Sequence, residues 1–242
     1  MNYKDKSQQT FLVKCSCYGL LVLSTLLIFA IAQTIQFYLK HYDISSMYVS
    51  FCAGFILFTP LVVLVLHPLI FVEKISEEYS HFSVLMKNAG LVLLVQCLFF
   101  IIWMTDAIAV YSIYVDQNSF LAKAFNINHT NSADLTTEFL WFNLLLAWLF
   151  SLLSLVLGIM PCLIARIDNN GVVKNFVAGF SFAKKFKAKF GVSALAIAVA
   201  TVLPLLYMKY LFLLSFPVAV VSVFLYFSNL LLEQKNTKQY ID

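Results

Sequence analysis

Six long apolar stretches dominate the chain, and between them they hold two charged residues, Lys14 and Asp106. A helix rises about 1.5 Å per residue, so roughly 20 apolar residues cross a hydrocarbon core of about 30 Å. The stretch at 191–207 is the shortest and contains Pro204, whereas the other stretches exceed that length. The pattern predicts membrane spans over residues 11–39, 47–72, 89–113, 139–165, 191–207 and 210–232.

Composition excludes a water-soluble fold. Hydrophobic residues make up 62% of the 242 residues and charged residues 12%, whereas a soluble domain is about 45–50% apolar and about 25% charged. Lipid must therefore be the solvent, and because every backbone N–H and C=O in lipid needs an internal partner, the spans must be helical. The sequence predicts an all-α polytopic transmembrane bundle of about six spans, with a single transmembrane domain over residues 1–242.

The placement of lysine and arginine predicts the orientation. With the N-terminus in the cytoplasm, 13 of the 16 basic residues fall inside, and Lys40, Lys123 and Lys209 fall outside. This bias follows the positive-inside rule and predicts both termini in the cytoplasm, in a bacterial inner membrane. If the stretch at 191–207 were re-entrant, five spans would remain and Lys235 and Lys238 would lie outside. An A-x-A sequence at 30–32 resembles a signal-peptide cleavage site, but the apolar run continues past it, which favours a retained span.

The segment GFSFAKKFKAKFG, residues 179–191, combines phenylalanines with Lys184, Lys185, Lys187 and Lys189. Helical periodicity over residues 172–190 predicts a helix that lies in the membrane interface beside a span. We expect its lysines to contact anionic lipid head groups, each contributing about 1 kcal/mol. A nucleic-acid patch would need a soluble docking domain, which the sequence lacks, and a protein partner is the alternative. The predicted apolar stripe consists of Val173, Phe176, Val177, Phe180, Ala183 and Phe190.

A second cytoplasmic amphipathic helix is predicted over residues 73–88, directly before a span. Its apolar side chains also recur at helical spacing. Each amphipathic segment follows a span that ends in proline and a short apolar cap, LHPLIFV at 66–72 and IMPCLIA at 159–165. A diverged internal repeat would explain this recurrence, and such repeats are common in membrane transporters. The two halves share little identity, so the repeat stays open. The apolar positions of the first segment are Ile75, Tyr79, Phe82, Leu85 and Met86.

A span that ends in proline, a segment such as NFVAGFSFAKKF at 175–186 and a further span occur here in succession. This order resembles uncharacterised bacterial polytopic inner-membrane proteins, which are related to the membrane domain beside some glycerophosphodiester phosphodiesterases. The resemblance covers residues 60–110 and 155–210 and is a pattern without catalytic residues. It implies an α-helical inner-membrane bundle.

Polar residues inside the spans are functional candidates, because each is costly in hydrocarbon. Asp106 lies about 26 Å along its span, near the outer interface, whereas His67 lies near the inner end of the second span. Gln96 lies between them in depth, and Asn143 is available on the fourth span. The set predicts either polar contacts between helices or the lining of a proton or cation path. Lys209 could pair with Asp106 if the third and fifth spans were neighbours.

Prolines and small residues predict where the helices bend and approach one another. Pro60 and Pro217 lie within spans and would kink them, since proline lacks a backbone donor. Small residues recur at helix-packing spacing, which favours close approach of spans and also a homo-oligomer or a membrane-protein partner. These residues are Ser151, Ser154 and Gly158 on the fourth span and the pairs Ala194–Ala198 and Ala196–Ala200 on the fifth.

The sequence contains no motif for catalysis, metal binding or cofactor binding: HExxH, GxSxG and GxxxxGK[ST] are absent. Loops of at most about 25 residues are too short for a soluble catalytic domain. The cysteines lie in or beside apolar runs and are predicted to be free thiols that act as small hydrophobes. They are Cys15, Cys17, Cys52, Cys97 and Cys162.

These features together favour a non-enzymatic scaffold, assembly factor or membrane subunit of a complex. We expect no cofactor, no nucleic-acid partner and contact with a bilayer that contains anionic head groups. The alternative is a small transporter or channel for an ion, a small solute or a lipid.

Overall fold

The computed structural model describes residues 3–42, 44–71, 82–114, 132–167 and 171–239, and every element in these ranges is helical. Short 3₁₀ turns occur at Ser45–Met47, Ile56–Phe58, His67–Phe71 and Lys209–Leu211, and a π-helical segment occupies Ser154–Ile159. The α-helices are Tyr3–His41, Tyr48–Phe55, Thr59–Leu64, Phe82–Tyr114, Ser132–Leu153, Met160–Ile167, Val172–Lys185, Lys187–Tyr207 and Phe212–Gln239.

Within the described ranges, six helical segments are long and apolar enough to cross a membrane, which confirms the predicted all-α polytopic bundle. The fifth begins at Lys187, four residues before the predicted start, and its 21 residues reach the length that a span needs. The spans are Phe11–His41, Ser45–Leu64, Leu85–Ser112, Phe139–Arg166, Lys187–Tyr207 and Lys209–Gln234.

The second span lies at the centre of the bundle. In its most apolar window 78% of the residues are buried, against 22% for the first and the third spans. It packs on all five other spans, on the sixth through the helix Thr59–Leu64. The fifth span also packs on the fourth and the sixth, and the first packs on the sixth. Lipid therefore surrounds the outer helices, while the second span meets protein on most sides.

The second span is not the continuous helix predicted over residues 47–72. It consists of two short α-helices joined by the 3₁₀ turn Ile56–Phe58, and a further 3₁₀ turn follows at His67–Phe71. Pro60 explains the first break, because its nitrogen cannot donate to the carbonyl of Ile56. That carbonyl instead accepts the backbone N–H of Thr59 in the 3₁₀ turn and the hydroxyl of Ser154 on the fourth span, the latter at 3.1 Å. A break in the middle of a span is tolerated where protein buries it.

The fourth span widens into its π-helical segment at the point where it meets this break. A Cβ atom added at Gly158 would overlap the ring of Pro60, so the two backbones approach more closely than any other residue at 158 would permit. The predicted close approach through Ser154 and Gly158 is therefore confirmed. The π-helical turn falls directly before Pro161, whose missing N–H also interrupts the regular bonding pattern.

Pro204 repeats the chemistry of Pro60 in the fifth span. Its nitrogen leaves the carbonyl of Ala200 without the usual helical donor, and the hydroxyl of Ser215 on the sixth span donates to that carbonyl at 2.8 Å. The helix Lys187–Tyr207 continues through Pro204, and the helix Phe212–Gln239 continues through Pro217. Hydroxyl groups of neighbouring spans thus replace backbone donors that proline removes.

The two predicted amphipathic helices differ from expectation. The first, at 73–88, lies partly outside the described residues, and its described part, from Phe82, continues directly into the third span. The second does not run through 172–190 as one helix. It ends at Lys185, and after Phe186, whose φ of −116° and ψ of 39° are not helical, the fifth span begins at Lys187. We call Val172–Lys185 the connecting helix. The internal repeat stays a prediction.

Candidate functional site

A row of buried polar side chains lies where the second, third and fourth spans meet. Gln96 of the third span is fully buried, and its amide nitrogen lies 3.4 Å from the position of a Cβ at Gly158. Gln96 is therefore adjacent to the contact between Gly158 and Pro60, at the break in the second span. Among the described residues, neither its amide oxygen nor its amide nitrogen has a hydrogen-bond partner.

Two hydroxyl side chains of the second and fourth spans are as fully buried as Gln96. Thr59 stands beside Pro60 on the second span, and Ser151 lies one turn before Ser154 on the fourth. Both side chains are fully buried, and within the described part of the chain neither hydroxyl has a hydrogen-bond partner. Such groups are costly to bury. The centre of the bundle thus carries more hydrogen-bonding capacity than its own contacts use.

His67 is buried at a separate place, in the 3₁₀ turn His67–Phe71 that follows the second span. The imidazole is 1% exposed and packs edge-on against Phe224 of the sixth span, with ring centroids 5.4 Å apart. Neither ring nitrogen finds a hydrogen-bond partner in the ranges that the structure describes. Arg166, 3% exposed at the end of the fourth span, lies close enough for its charge to act on the imidazole. In the sequence Arg166 indicated only the topology, and its place beside His67 was not predicted.

An asparagine pair ties the connecting helix to the bundle. The amide nitrogen of Asn175 donates to the side-chain oxygen of Asn88 on the third span at 3.4 Å, and both residues are fully buried. Neither asparagine was a predicted site residue. The available signal was weak: Asn175 shares a helix face with Gly179 and Phe182 at spacings of four and seven.

Asn143 lies apart from this row. It is fully buried in the outer half of the fourth span, where its amide nitrogen donates to the carbonyl of Phe139 at 2.8 Å. About 16 Å of helix separates it from Ser154. Its position suits a local backbone contact within its own span.

Asp106 lies on the outside of the bundle, whereas the sequence predicted only its depth. Its side chain is exposed in a groove of about 390 Å³ between the third and fourth spans. The rest of the groove is apolar, with Trp103, Phe142 and Phe150 among its walls. Trp103 is held in place by a hydrogen bond to the carbonyl of Ser50 at 3.2 Å and by edge-to-face packing on Phe150.

The condition for pairing Asp106 with Lys209 is not met. The third span packs mainly on the second and fourth spans, whereas the fifth packs on the second, fourth and sixth. No ion pair between Asp106 and Lys209 is present in the described part of the chain. The four predicted polar residues therefore occupy four places. Gln96 lies at the break in the second span and His67 packs against the sixth span, whereas Asn143 lies near the start of the fourth span and Asp106 faces outward.

The predicted head-group lysines, Lys184, Lys185, Lys187 and Lys189, are all exposed. Two of them flank the ring of Phe186 at the break between the helices: the ammonium of Lys185 lies 5.5 Å from the ring centroid and that of Lys189 lies 5.0 Å from it. The ammonium of Lys189 also lies 5.6 Å from the ring of Tyr226 on the sixth span. These aromatic contacts restrain long side chains that would otherwise be free in solvent.

The apolar stripe predicted for the connecting helix is divided between two faces. Val173, Val177 and Phe180 point away from the bundle and are 62–75% exposed. Gly179 and Phe182 pack inward, and a Cβ added at Gly179 would lie 3.4 Å from the Cβ of Met160 on the fourth span. Phe190, predicted to belong to this stripe, is buried in the fifth span instead. The helix is thus anchored to protein on one side and exposes a second apolar face away from the bundle.

The cysteines are free thiols in the structure, as predicted. Cys17, Cys52 and Cys162 are buried, Cys97 is half-buried and Cys15 is exposed. Among the described residues, His, Cys, Asp and Glu form no group of three or more that could hold a metal ion.

Comparisons with known proteins found no matching family model, no matching curated protein and no matching solved structure. The resemblance to the membrane domain beside glycerophosphodiester phosphodiesterases therefore stays an expectation from the sequence pattern. The function must be inferred from the buried polar row, the grooves and the charges of the chain itself.

Proposed function

We propose that this chain is a non-enzymatic membrane subunit, scaffold or assembly factor that binds another integral membrane protein. The observation that carries this proposal is the outward position of Asp106. Charged residues inside membranes almost always face a bundle interior, a water-filled cavity or a charged partner. Asp106 instead faces outward, and a partner helix on that face would give the carboxylate the environment that the bundle itself does not provide.

The depth of Asp106 supports this proposal. The third span has 28 residues, so it is about 42 Å long and exceeds the hydrocarbon core by about 12 Å. Asp106 lies about 9 Å before the outer end of the span at Ser112. A centred span therefore places the carboxylate just inside the outer edge of the hydrocarbon, where a charge is costly without a partner.

The chemistry of the groove selects the occupant. A single carboxylate lies among aromatic walls, and a cation over an aromatic ring gains about 0.5–2 kcal/mol in addition to the ion pair. A transmembrane helix that carries lysine or arginine near its outer end would satisfy both contacts. The partner that we propose is therefore a membrane protein with one basic residue at this depth.

Photocrosslinking tests the proposal. A benzophenone amino acid placed at Phe142, 42% exposed in the groove, should give one crosslinked product of fixed size in cells that express the chain at native level. Asp106→Asn should abolish the product, and Asp106→Glu should retain it. The same probe at Leu214, 65% exposed near the outer end of the sixth span, is the matched control and should not give this product.

Two results would overturn the subunit proposal. One is equal crosslinking from Leu214 and Phe142, which would mean nonspecific contact. The other is a product that does not depend on a charge pair with Asp106, either because it survives Asp106→Asn or because the crosslinked partner has no basic residue near the outer end of its span.

A small transporter or channel is the second candidate, and the interior polar row favours it. Gln96 and Thr59 are fully buried at the break in the second span, and neither has a hydrogen-bond partner in the described ranges. Interrupted helices at mid-membrane commonly form the substrate or ion site of transporters, and π-helical segments often occur at functional sites. A proton, a small cation or a small polar solute would suit amide and hydroxyl ligands.

Flux into proteoliposomes distinguishes the two candidates. Transport would give a flux that Gln96→Met or His67→Ala abolishes and that Asp106→Asn leaves unchanged. That result, together with absent crosslinking at Phe142, would replace the subunit proposal. No flux above that of empty liposomes, with crosslinking intact, would reject the transporter.

We also propose that the chain lies in a bacterial cytoplasmic membrane with both termini inside. The lysine distribution supports this orientation, and exposed Lys184, Lys185 and Lys187 are close in sequence to the inner end of the fifth span. Alkaline phosphatase fused after residue 242 should be inactive and green fluorescent protein at the same position should fluoresce. The reverse pattern would refute the orientation.

A further inference from the structure

A second groove lies between the fifth and sixth spans, on a different face from Asp106. It encloses about 530 Å³ and is lined by residues of both spans, including Lys189, Ser193, Ala196, Ser222 and Tyr226. Val192 on its wall is 69% exposed and Tyr226 is 43% exposed, so the groove opens on the outer surface of the bundle. Small side chains create it, since alanine and serine stand where larger residues would fill the space between the helices.

The lining of this groove changes in character along the spans. Lys189 and Tyr226 stand together at its basic end, 5.6 Å from ammonium to ring centroid. Ser193 and Ser222 follow four residues deeper on their antiparallel helices, about 6 Å further into the membrane. Ala196 lies about 10 Å below Lys189 on the fifth span. Charge, hydroxyl and apolar surface thus succeed one another over a distance that matches half of a lipid molecule.

The groove's basic end is also part of a concentration of positive charge. Lys185 and Lys189 share the ring of Phe186, and Lys187 is exposed between them. No acidic side chain belongs to the groove lining in the described residues. The aromatic rings restrain Lys189, so less side-chain entropy is lost when an anion binds.

We propose that this groove binds one anionic phospholipid. The phosphate lies on the ammonium of Lys189 and accepts a hydrogen bond from the hydroxyl of Tyr226, the hydroxyls of Ser193 and Ser222 donate to the ester oxygens, and an acyl chain passes Ala196. Basic pockets between spans on the inner side of a membrane are suited to such head groups. This proposal is independent of the partner-helix proposal, because it uses other spans and other residues.

Lipid retention measures the proposed site. The full chain is reconstituted in nanodiscs that contain phosphatidylglycerol and phosphatidylcholine, released into mild detergent and weighed intact by native mass spectrometry. We expect one retained phosphatidylglycerol and no comparable phosphatidylcholine adduct. Lys189→Gln should weaken retention about five-fold, since one lysine near an anionic head group contributes about 1 kcal/mol. Lys189→Arg should keep it.

Two further variants test the groove itself. Tyr226→Phe removes the hydroxyl donor and should weaken retention several-fold. Ala196→Phe fills the groove from an exposed position and should abolish retention while the protein stays monodisperse and helical. The matched control is Lys184→Gln, which removes an equally exposed lysine of the connecting helix that does not line the groove, and it should leave retention unchanged.

Five outcomes would overturn the lipid site. Equal losses in Lys184→Gln and Lys189→Gln would show diffuse surface attraction in place of a built site. Equal retention of phosphatidylcholine, or retention that survives Ala196→Phe, would show that neither the charge nor the shape of the groove selects the lipid. Competition by millimolar inorganic phosphate would identify a free anion as the ligand. A stable second copy of the chain in place of lipid would show that the groove is an interface between copies.

Discussion

Ser154 and Ser215 share a role that neither residue type nor local spacing reveals. Each hydroxyl donates to a carbonyl that a proline four residues later has left without a helical donor, that of Ile56 for Pro60 and that of Ala200 for Pro204. Both bonds join different spans. Each is therefore an interhelical contact to a carbonyl whose α-helical donor proline has removed, although the carbonyl of Ile56 also accepts the N–H of Thr59.

Loss of the Ser215 hydroxyl should destabilise the bundle. Hydrogen bonds between membrane helices contribute about 0.6 kcal/mol on average and up to about 1.7 kcal/mol, so Ser215→Ala should lower the free energy of unfolding by about 1 kcal/mol. In a Pro204→Ala background the restored N–H can bond to Ala200, and the effect of Ser215→Ala should shrink. Unfolding of the four proteins in mixed micelles by sodium dodecyl sulfate measures this cycle. Equal effects in both backgrounds would contradict the role assigned to Ser215.

Gly158 should not tolerate even one methyl group. A Cβ there overlaps the ring of Pro60, whose position is fixed by its own span, and overpacking of this kind costs about 1–3 kcal/mol. Gly158→Ala should therefore lower stability by that amount. Gly90→Ala is the matched control, because a Cβ at Gly90 meets nothing within 4 Å, and it should be neutral or stabilising. Thermal aggregation in detergent compares the two variants, and equal melting temperatures would contradict the contact.

Among single residues, the sequence predicted burial better than partnership. Gln96, His67 and Asn143 were identified as intramembrane polar groups, and all three are buried. Their neighbours could not be predicted, because a bond such as Ser154 to Ile56 joins residues 98 positions apart. Depth along a helix follows from counting residues, whereas the direction in which a side chain points depends on how the whole bundle packs. This is why the sequence could propose a depth for Asp106 but not its position on the outside of the bundle.

At the scale of elements, the second span shows that hydropathy predicts a span but not whether its helix is continuous. Its apolar run is long enough for one helix, yet the structure divides it at Pro60 and again before His67. The proline was visible in the sequence and predicted a kink. The length of α-helix that is lost was not predictable, because it depends on contacts with the fourth span. Ser154 donates to the carbonyl of Ile56, and Gly158 leaves room for the ring of Pro60.

The connecting helix differs from prediction for a related reason, because the predicted apolar stripe included Phe180 but not Phe182, which is the more deeply buried of the two. Phe182 and Phe180 are two residues apart, yet they are 8% and 62% exposed. Phe182 packs on Phe186 with ring centroids 4.9 Å apart and on Phe190 at 6.2 Å. A sequence pattern that separates only apolar from polar positions cannot distinguish an apolar side chain that packs on protein from one that faces away from the bundle.

This phenylalanine pair gives a direct test of how the connecting helix is anchored. Phe182→Ala should destabilise the protein by about 3–5 kcal/mol, as expected for a buried aromatic side chain. Phe180→Ala should change the unfolding free energy by less than about 0.5 kcal/mol, as is usual for surface substitutions. Denaturation in mixed micelles measures both variants. Similar losses would mean that the helix is held by its outward face.

For the whole molecule, composition and the apolar runs determined the solvent, the helical class and the number of spans. They could not determine which span lies in the middle, because the six stretches are similarly apolar, with mean hydropathy of 2.1 to 2.3. The central position of the second span follows from small and bent surfaces that let the five other spans approach. Two candidate sites, the Asp106 groove and the Lys189 groove, arise from gaps between spans and have no sequence motif.

The orientation should be robust to loss of the basic cluster. Replacing Lys184, Lys185, Lys187 and Lys189 by glutamine leaves nine basic residues on the inner side against three outside, so the positive-inside bias persists. Fusion reporters at the C-terminus should show unchanged topology, whereas cosedimentation of the nanodisc-embedded protein with anionic vesicles should weaken. An inverted C-terminus would show that this cluster alone sets the orientation.

The hydrogen bond from Ser154 to Ile56 also sets an order for biogenesis. Translation at about 5–20 residues per second puts roughly 5–20 s between two residues that lie 98 positions apart. Throughout that interval the carbonyl of Ile56 lacks the hydroxyl of Ser154 and keeps the backbone N–H of Thr59 as its donor. The break in the second span can therefore form on its own, and its bond to the fourth span is added only after that span has been made.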